Sequence, residues 1–291
     1  MRYLMVQDNS MATLSLMDDQ GEVRIMEPVW SALQATGDAP DEPASLDALL
    51  RWNNTQKLAD QLEARFSEGL PVAGELVIDV PLRGGDIFCI GRNYVEHARE
   101  LGNEVPSEPI VFMKPRASLI ATGETILLPK GTEEVHHEGE LTLVLGGRVE
   151  GNVSQQKAES ALFGVTLMND VTDRARQNEL KKGGKPWLVA KGQKTFAPLG
   201  PVVRRFDSEF RLSGTRVETK VNGELRQSGG PDLWIFGLSQ LLSYLGVQFG
   251  LCPGDLVATG TPAGVGPLRA GDWIEISCPG VGTLTNPVSI T

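Results

Sequence analysis

The sequence predicts an α+β fold, rich in strand, in which a small N-terminal accessory domain (residues 1–75) precedes a larger domain (76–291). Most apolar runs have the length of a strand and are bounded by Gly, Asp or Pro residues that favour turns. Helical spacing of apolar residues occurs in a few segments, and residues 238–245, with four leucines on one face, are the clearest. The segment GLPVAG, which begins at Gly69, has the composition of a linker and marks the boundary.

The composition is that of a globular protein of enzyme size. A chain of 291 residues with 41% hydrophobic and 22% charged residues can bury a large core. Its net charge of -10 disfavours nucleic acid and anionic membranes as partners, and a small anionic substrate would need a local positive or metal-centred site. We find no run of about 18 apolar residues and no basic start followed by an apolar run, so we expect a cytoplasmic protein.

The three cysteines, Cys89, Cys252 and Cys278, are scattered and show no CxxC spacing. An odd number without such spacing supports neither a disulfide framework nor a structural zinc site. We therefore expect buried thiols in a reducing cytosol.

The N-terminal region alternates short apolar segments with acidic turns. Residues 12–17 and 22–26 are apolar, residues 37–45 form a predicted loop rich in Asp and Pro, and residues 45–66 show a helical pattern. No combination of residues typical of catalysis occurs here. We expect this domain to support packing or dimer formation.

A short helix is predicted after the apolar strand IFCIG, which begins at Ile87. Asn93 has the position of an N-cap, and Glu96, three residues later, completes a capping box. His97 and Glu100 lie three residues apart on one face, where a carboxylate can orient an imidazole and raise its basicity. The pair is a candidate general base, and the alternative is an ordinary His–Glu pair on a surface helix.

The segment VHHEGELTLVLG, which begins at Val135, carries two carboxylates on one strand. Alternate side chains of a strand share a face, so Glu138 and Glu140 point the same way. One explanation is a solvated face, and the other is a cation between the two charges. The apolar run 165–168 favours the cation, because it delivers Asp170 to a strand end, where functional groups are common. Three converging carboxylates predict a metal site.

Two lysines follow apolar runs. Lys114 comes after IVFM and before Pro115, a position that suits either substrate binding or an ammonium directed to solvent. Lys191 ends the apolar run 187–190. Such a lysine is often buried beside a carboxylate or an anion, and a functional and a structural role are equally compatible with its position.

Turn signals dominate the C-terminal part. Asn222-Gly223 between alternating residues predicts a β-hairpin. In PGDLVATGTPAGVG, which begins at Pro253, a glycine-rich loop joins two strands that each follow a Gly-Asp turn. The loop lacks the GK[ST] of a P-loop and the spacing of GxGxxG, so nucleotide binding is not supported. Its backbone amides, with Thr259 or Thr261, are able to hold a carboxylate.

Six motifs occur in one order: GRNYxxHAxE, HHEGEL, NDVTxR, AKxxxTFAPLGP, VNGExRQ and GDLVATGTPAGVG. Together they closely resemble the fumarylacetoacetate hydrolase (FAH) superfamily over residues 86–287. The resemblance implies a mixed β-sandwich roll with flanking helices, usually dimeric, that binds Mg2+ or Mn2+. The three carboxylate ligands of the family match Glu138, Glu140 and Asp170.

The resemblance also implies roles for other residues. His97 and Glu100 match the general-base dyad of the hydrolase members, on a segment that acts as a lid, and Lys191 matches a catalytic lysine. Residues that match positions lining or supporting the pocket are Arg92, Lys114, Arg174, Gln177 and Thr261. Three positions depart from the common pattern, namely Asp173, Ala175 and Lys194. These departures concern the identity of the substrate more than metal binding.

The implied reaction is cleavage of the C3–C4 bond of a 2,4-dioxo acid to pyruvate and a second acid. A 2-hydroxydienoate isomerase or an oxaloacetate decarboxylase is the alternative in the same pocket. A metal-stabilised scaffold that lost catalysis is a rival of another class. A zinc hydrolase that uses His136 and His137 is disfavoured, because neighbours on a strand face opposite sides. We expect a homodimer that takes a small anionic 2-oxo acid.

Overall fold

Twelve strands form the main sheet of the computed structural model. The structure describes residues 1–8, 11–72, 75–100, 102, 104–132, 134–208 and 210–291, so the last part of the predicted linker, residues 73–74, lies outside the described residues. The helices are α1 (Glu27–Ala35), α2 (Leu46–Arg51), α3 (Thr55–Ala64), α4 (Val95–Glu100), α5 (Gln155–Ala161), α6 (Arg174–Lys182), α7 (Leu188–Lys191) and α8 (Leu238–Gln248).

The strands extend from the N-terminus to the C-terminus of the chain. They are β1 (Arg2–Asp8), β2 (Met11–Met17), β3 (Val23–Ile25), β4 (Leu70–Pro71), β5 (Ile78–Asp79), β6 (Ile87–Gly91), β7 (Ile110–Met113), β8 (Leu119–Ile120), β9 (Ile126–Leu128), β10 (Val135–His137), β11 (Gly139–Leu145), β12 (Leu162–Asn169), β13 (Thr172–Asp173), β14 (Ala197–Arg205), β15 (Val217–Val221), β16 (Glu224–Gly229), β17 (Leu256–Ala258), β18 (Gly266–Pro267), β19 (Trp273–Cys278) and β20 (Gly282–Ile290).

Three sheets organise these strands. The main sheet has the order β4-β3-β2-β1-β14-β12-β11-β17-β6-β7, with β5 paired to β1 and β8 paired to β14. A three-stranded sheet has the order β13-β10-β18, and a five-stranded sheet has the order β16-β15-β19-β20-β9. The predicted α+β, strand-rich fold class is confirmed.

The N-terminal region joins the main sheet through its first strand. β1 pairs antiparallel with β14, with Tyr3 opposite Val203. The Tyr3 ring packs edge-on against Phe163, with 5.1 Å between ring centroids. Buried residues of α1, α2 and α3 share a hydrophobic cluster with Val144 and Phe163. The boundary at residues 75/76 stays a prediction, but the chain on its two sides contributes to one sheet and one core.

The register between β11 and β12 brings the acidic residues together. Gly139 lies opposite Asn169, and Glu140 lies opposite Met168. Asp170 follows β12 directly, and its N–H donates to the Glu138 carbonyl at 2.8 Å. The carboxylate-bearing ends of two adjacent strands therefore meet.

Several local predictions are confirmed. The turn Asn222-Gly223, with φ of 52° and 81°, joins β15 to β16 as the hairpin signal predicts. The four leucines of α8 are buried. The predicted Gly-Asp turns precede β17 and β19.

Other local predictions differ from the structure. The helical pattern over residues 45–66 is two helices, because Trp52 is extended and the two asparagines after it favour a turn. Helix α1, which Pro28 starts in its first turn, was not predicted. Cys89 and Cys278 are buried as free thiols, but Cys252 is exposed, which corrects the expectation of three buried thiols.

Candidate active site

Three buried carboxylates form the centre of the candidate site. Glu138, Glu140 and Asp170 are each at most 4% exposed, and one ligand oxygen from each lies within 4.8 Å of the others. Glu138 lies between β10 and β11, which corrects the prediction of one strand that carries both glutamates. Glu140 is the second residue of β11, and Asp170 directly follows β12. The burial excludes a solvated strand face and confirms the predicted convergence.

Cations compensate two of these carboxylates. The Lys191 ammonium donates to Glu138 Oε2 at 2.7 Å and to Asp170 Oδ2 at 2.6 Å, and the Arg174 guanidinium donates to Glu138 Oε1. Burial alone raises the pKa of Glu138, but the charges of Lys191 and Arg174 outweigh it and hold that pKa well below its usual range. Burial lowers the pKa of Lys191, yet Asp170 and Glu138 outweigh this and leave it raised.

Glu140 is the carboxylate that lacks such compensation. Its Oε2 accepts a hydrogen bond from the Gly260 amide at 2.8 Å, and it forms no ion pair with a described Lys, Arg or His. Burial, together with the charges of Asp170 and Glu138, raises the pKa of Glu140 well above its usual range.

The donor set suits a hard divalent cation. All three side chains offer oxygen ligands, which such ions prefer. Asp170 Oδ1 is buried and accepts no hydrogen bond from the described residues, although Lys114 Nζ lies 2.8 Å from it. A cation at the point where the three side chains meet would compensate Glu140, so the residues present fit a metal site.

His97 and Glu100 form the predicted dyad on α4. His97 Nδ1 lies 3.3 Å from Glu100 Oε2, and the Gly264 amide donates to Glu100 Oε1 at 3.0 Å. The imidazole is buried, which excludes an ordinary surface pair, and it lines the same pocket as the three carboxylates. Burial raises the pKa of Glu100, but the hydrogen bonds from His97 and from the loop amides outweigh it and leave that pKa lowered.

The predicted pocket residues form two groups: those that line the pocket with the carboxylates, and Lys114, which does not line it. Arg92, Arg174, Gln177, Lys191 and Thr261 line the pocket with the carboxylates. Within this group Arg174 donates to Gln177 Oε1 at 2.6 Å, and the Thr261 hydroxyl donates to the Gly139 carbonyl at 2.9 Å.

Lys114 is not among the residues that line this pocket. Its ammonium is buried beside Asp170 and donates to the carbonyls of Val171, Lys191 and Phe196. The alternative of an ammonium directed to solvent is therefore wrong. Direct substrate binding by Lys114 stays a prediction, and the contacts favour a role in positioning Asp170.

The structural roles of two buried side-chain amides, those of Asn93 and Gln227, were not predicted from the sequence. Asn93 is not the cap of α4: its side chain donates to the Thr259 carbonyl and accepts from the Phe236 amide, which ties α4 to the neighbouring loops. Gln227 accepts from Gly139 N–H at 3.0 Å and donates to Thr261 Oγ1 at 2.7 Å. Its inward position in the hairpin strand was the available signal, because a buried amide there must find partners.

The structure also bears on two further residues that the sequence singled out, His137 and Asp173. His137 is bound through Nδ1 to Gln227 at 3.1 Å, and the metal-binding cluster found among the described residues contains carboxylates and no histidine. This finding agrees with the argument against a zinc hydrolase. Asp173, one of the departures from the family pattern, caps α6 by accepting from the Arg176 amide at 3.0 Å.

Lys181 was not singled out in the sequence but also lines the pocket. Its ammonium lies 5.0 Å from the centre of the Trp187 ring. Helix α6 thus contributes three pocket residues at successive positions of one face, namely Arg174, Gln177 and Lys181.

Comparison with known proteins decides the family. Residues 86–289 match the fumarylacetoacetate (FAA) hydrolase C-terminal family. The chain belongs to this family. The mitochondrial oxaloacetate tautomerase of Arabidopsis thaliana is 40% identical over 199 residues, which are 68% of this chain and 88% of that protein. The mitochondrial oxaloacetate decarboxylase of Dictyostelium discoideum is 37% identical over 201 residues, which are 69% of this chain and 91% of that protein.

The solved structures agree with this assignment. The fumarylacetoacetate hydrolase of Exiguobacterium antarcticum is similar over 100% of both chains, with a TM-score of 0.81 and 26% identity. The predicted resemblance is therefore confirmed at the level of family and fold. Among the described residues, we find no helix long and apolar enough to span a bilayer.

Proposed function

We propose that the protein is a metal-dependent hydrolase that cleaves the C3–C4 bond of a 2,4-dioxo acid to pyruvate and a second acid. The substrate would be of the acylpyruvate, fumarylpyruvate or diketo-deoxy sugar acid type. The observation that supports this reaction is that His97, which pairs with Glu100, lines the same pocket as the three carboxylates. Hydrolysis needs a base that activates water, in addition to a metal site.

The residues of the chain supply distinct steps. Glu138, Glu140 and Asp170 would hold Mg2+ or Mn2+, which would polarise the carboxylate and 2-oxo oxygens of the substrate. His97 accepts a proton from water as the water oxygen attacks C4, and Glu100 orients the imidazole. The C3–C4 bond then breaks, its electron pair passes to C3, and C3 takes up a proton.

The charged groups of the pocket support these steps. The Lys191 ammonium stands among the carboxylates, where it favours negative charge that develops on the substrate oxygens. Arg92, Arg174 and Gln177 line the pocket and offer donors to an anionic substrate.

A second candidate is tautomerisation or decarboxylation of oxaloacetate. Two relatives that are 37–40% identical carry these activities in their names. Both reactions require proton transfer or loss of CO2 from a 2-oxo acid but no attack by water. The isomerisation of a 2-hydroxydienoate belongs to the same class, because it also needs only proton transfers.

Mutation of the base is expected to distinguish the two candidate reactions. With Mg2+ present, His97→Ala is expected to reduce acylpyruvate hydrolysis about 10²–10⁴-fold and oxaloacetate decarboxylation much less. Glu140→Gln is expected to abolish both, because both depend on the metal site. Steady-state rates on acylpyruvates, fumarylpyruvate, 2,4-dioxo sugar acids and oxaloacetate provide the measurement.

Two results would redirect the assignment. Equal losses of both activities in His97→Ala would contradict its role as the base for water and favour the tautomerase or decarboxylase. No turnover of any of these acids with Mg2+ or Mn2+ would favour the scaffold that lost catalysis. The homodimer and the cytoplasmic location stay predictions, and sedimentation of the purified chain tests the former.

A further inference from the structure

The metal carboxylates already neutralise three of the cations in and around the pocket. Lys191 pairs with Glu138 and Asp170, Arg174 pairs with Glu138, and Lys114 lies 2.8 Å from Asp170. Two of the three carboxylates, Glu138 and Asp170, therefore already face three cations before an ion or a substrate binds. A divalent ion would make this end of the pocket positive and ready for the first carboxylate of a 2-oxo acid.

Two other cations of the pocket have no carboxylate. Arg92 and Lys181 line it, and neither forms an ion pair with a described Asp or Glu. Arg92 Nε is buried and finds no acceptor among the described residues. Burial, together with the charges of Arg174 and Arg92, outweighs the charge of Glu138 and lowers the pKa of Lys181 to about 8, so the ammonium is charged at neutral pH.

Helix α6 separates Lys181 from the metal end. Arg174, which contacts Glu138, and Lys181 lie seven residues apart on one face, about 10 Å along the helix axis. The Trp187 ring, 5.0 Å from the Lys181 ammonium, holds this end of the side chain at the pocket wall. Lys181 therefore lies about two turns of α6 from the residue that contacts the metal end, and Arg92 lines the same pocket.

We propose that Lys181, together with Arg92, binds a second carboxylate of the substrate and thereby selects dicarboxylic 2-oxo acids. An anionic group between two cations offsets their repulsion, and an uncharged distal group does not. The inference rests on the proposed function only in taking a 2-oxo acid as the ligand whose first carboxylate lies at the metal end. It holds for either of the two candidate reactions.

The test uses two acids of equal length that differ in the distal carboxylate. 2-Oxoglutarate and 2-oxopentanoate lack the 4-oxo group, so their binding to the full chain with Mg2+ is measured by calorimetry without hydrolysis. The wild type is expected to bind 2-oxoglutarate more tightly. Lys181→Met, which keeps an apolar stem beside Trp187, is expected to lower the ratio of the two association constants about tenfold or more.

Two further variants control for charge and fold. Lys181→Arg keeps the charge and is expected to retain most of the ratio. Lys182→Met removes the same charge from an exposed neighbour on α6 and is expected to leave the ratio unchanged. In the wild type the ratio should fall as the pH rises above about 8 and the ammonium loses its proton. In Lys181→Arg it should stay constant there, because a guanidinium remains charged.

The outcomes separate this proposal from the function on which it rests. If Lys181→Met weakens both acids equally, the residue acts on the first carboxylate or on the whole pocket, and the proposal fails. A wild type that binds both acids with Mg2+ but shows no preference also overturns the subsite while the proposed function stands. Absence of Mg2+-dependent binding of either acid would overturn both.

Discussion

Glu140 accepts a hydrogen bond from the Gly260 amide, whereas Glu138 and Asp170 are paired with Lys191. Without a bound metal ion, an ionised Glu140 would be a third buried negative charge that no described cation contacts, so its ionisation is disfavoured and its pKa is raised. At the scale of single residues, the same side chain that would complete the metal site also destabilises the metal-free protein. Stability and metal binding are expected to oppose each other at this position.

Glu140→Gln is expected to raise the melting temperature in the presence of EDTA, because it removes repulsion while its amide oxygen still accepts from Gly260. It is also expected to abolish stabilisation by Mg2+, which for the wild type amounts to about 2.7 kcal/mol at a hundred times the Kd. Thermal unfolding with EDTA and with Mg2+ measures both effects. Glu159→Gln, at an exposed position of α5, is the control. A variant less stable than the wild type in EDTA would refute the argument.

At the scale of elements, the glycine-rich loop after β17 contacts both the candidate metal site and the His97–Glu100 dyad. The Gly260 amide holds Glu140 of the metal site, and the Gly264 amide holds Glu100 of the base dyad. Gln227 supports this loop by donating to Thr261 Oγ1 and to the Pro262 carbonyl, each at 2.7 Å. One loop therefore positions residues that lie far apart in the sequence.

Gly264→Ala tests this connection. Gly264 has φ of 102°, and an added Cβ would overlap the Arg226 carbonyl oxygen, so the loop must shift and release Glu100. We expect a loss of stability greater than the about 1–3 kcal/mol of backbone strain alone, and a fall in hydrolysis of about tenfold or more. Gly271→Ala is the matched control, because its φ is 91° and no atom lies within 4 Å of its added Cβ. Equal effects of both variants, measured by denaturation and turnover, would contradict the positioning role.

At the scale of the whole molecule, the N-terminal region completes the main sheet without contributing to the pocket. Among the residues that the structure describes, none that lines the pocket precedes Ile90. The first strand of the N-terminal region, β1, pairs with β14, and helices α1, α2 and α3 contribute buried residues to one hydrophobic cluster. The region is therefore expected to matter for folding and not for chemistry.

A chain that begins at Pro81 is expected to aggregate, because the edge of β14 and the apolar residues under α1–α3 become exposed. By contrast, Lys57→Gln, which removes only an exposed ion pair with Asp38, is expected to leave turnover within about twofold and stability within about 1 kcal/mol. Size-exclusion chromatography and turnover measure both. A soluble, fully active chain from Pro81, or loss of turnover in folded Lys57→Gln, would show that part of the site was misplaced.

The sequence by itself determined the elements whose signals are local. Alternation predicted that Glu138 and Glu140 point the same way, although Glu138 lies just before β11 and not in it. Spacing placed His97 and Glu100 on one helix face, and Asn222-Gly223 specified a hairpin. The ordered motifs then identified the family, and with it they predicted that the three carboxylates bind a metal. These predictions succeed because periodicity and turn chemistry depend on neighbours along the chain.

Only the tertiary structure decided which distant groups meet. Gln227 contacts Gly139 across 88 positions of sequence, and Lys114 contacts Phe196 across 82. The uncompensated pair of Arg92 and Lys181 became visible only when the partners of the other cations were known. Hydrogen bonds and ion pairs between remote segments depend on strand order and register, and local periodicity carries no information about either.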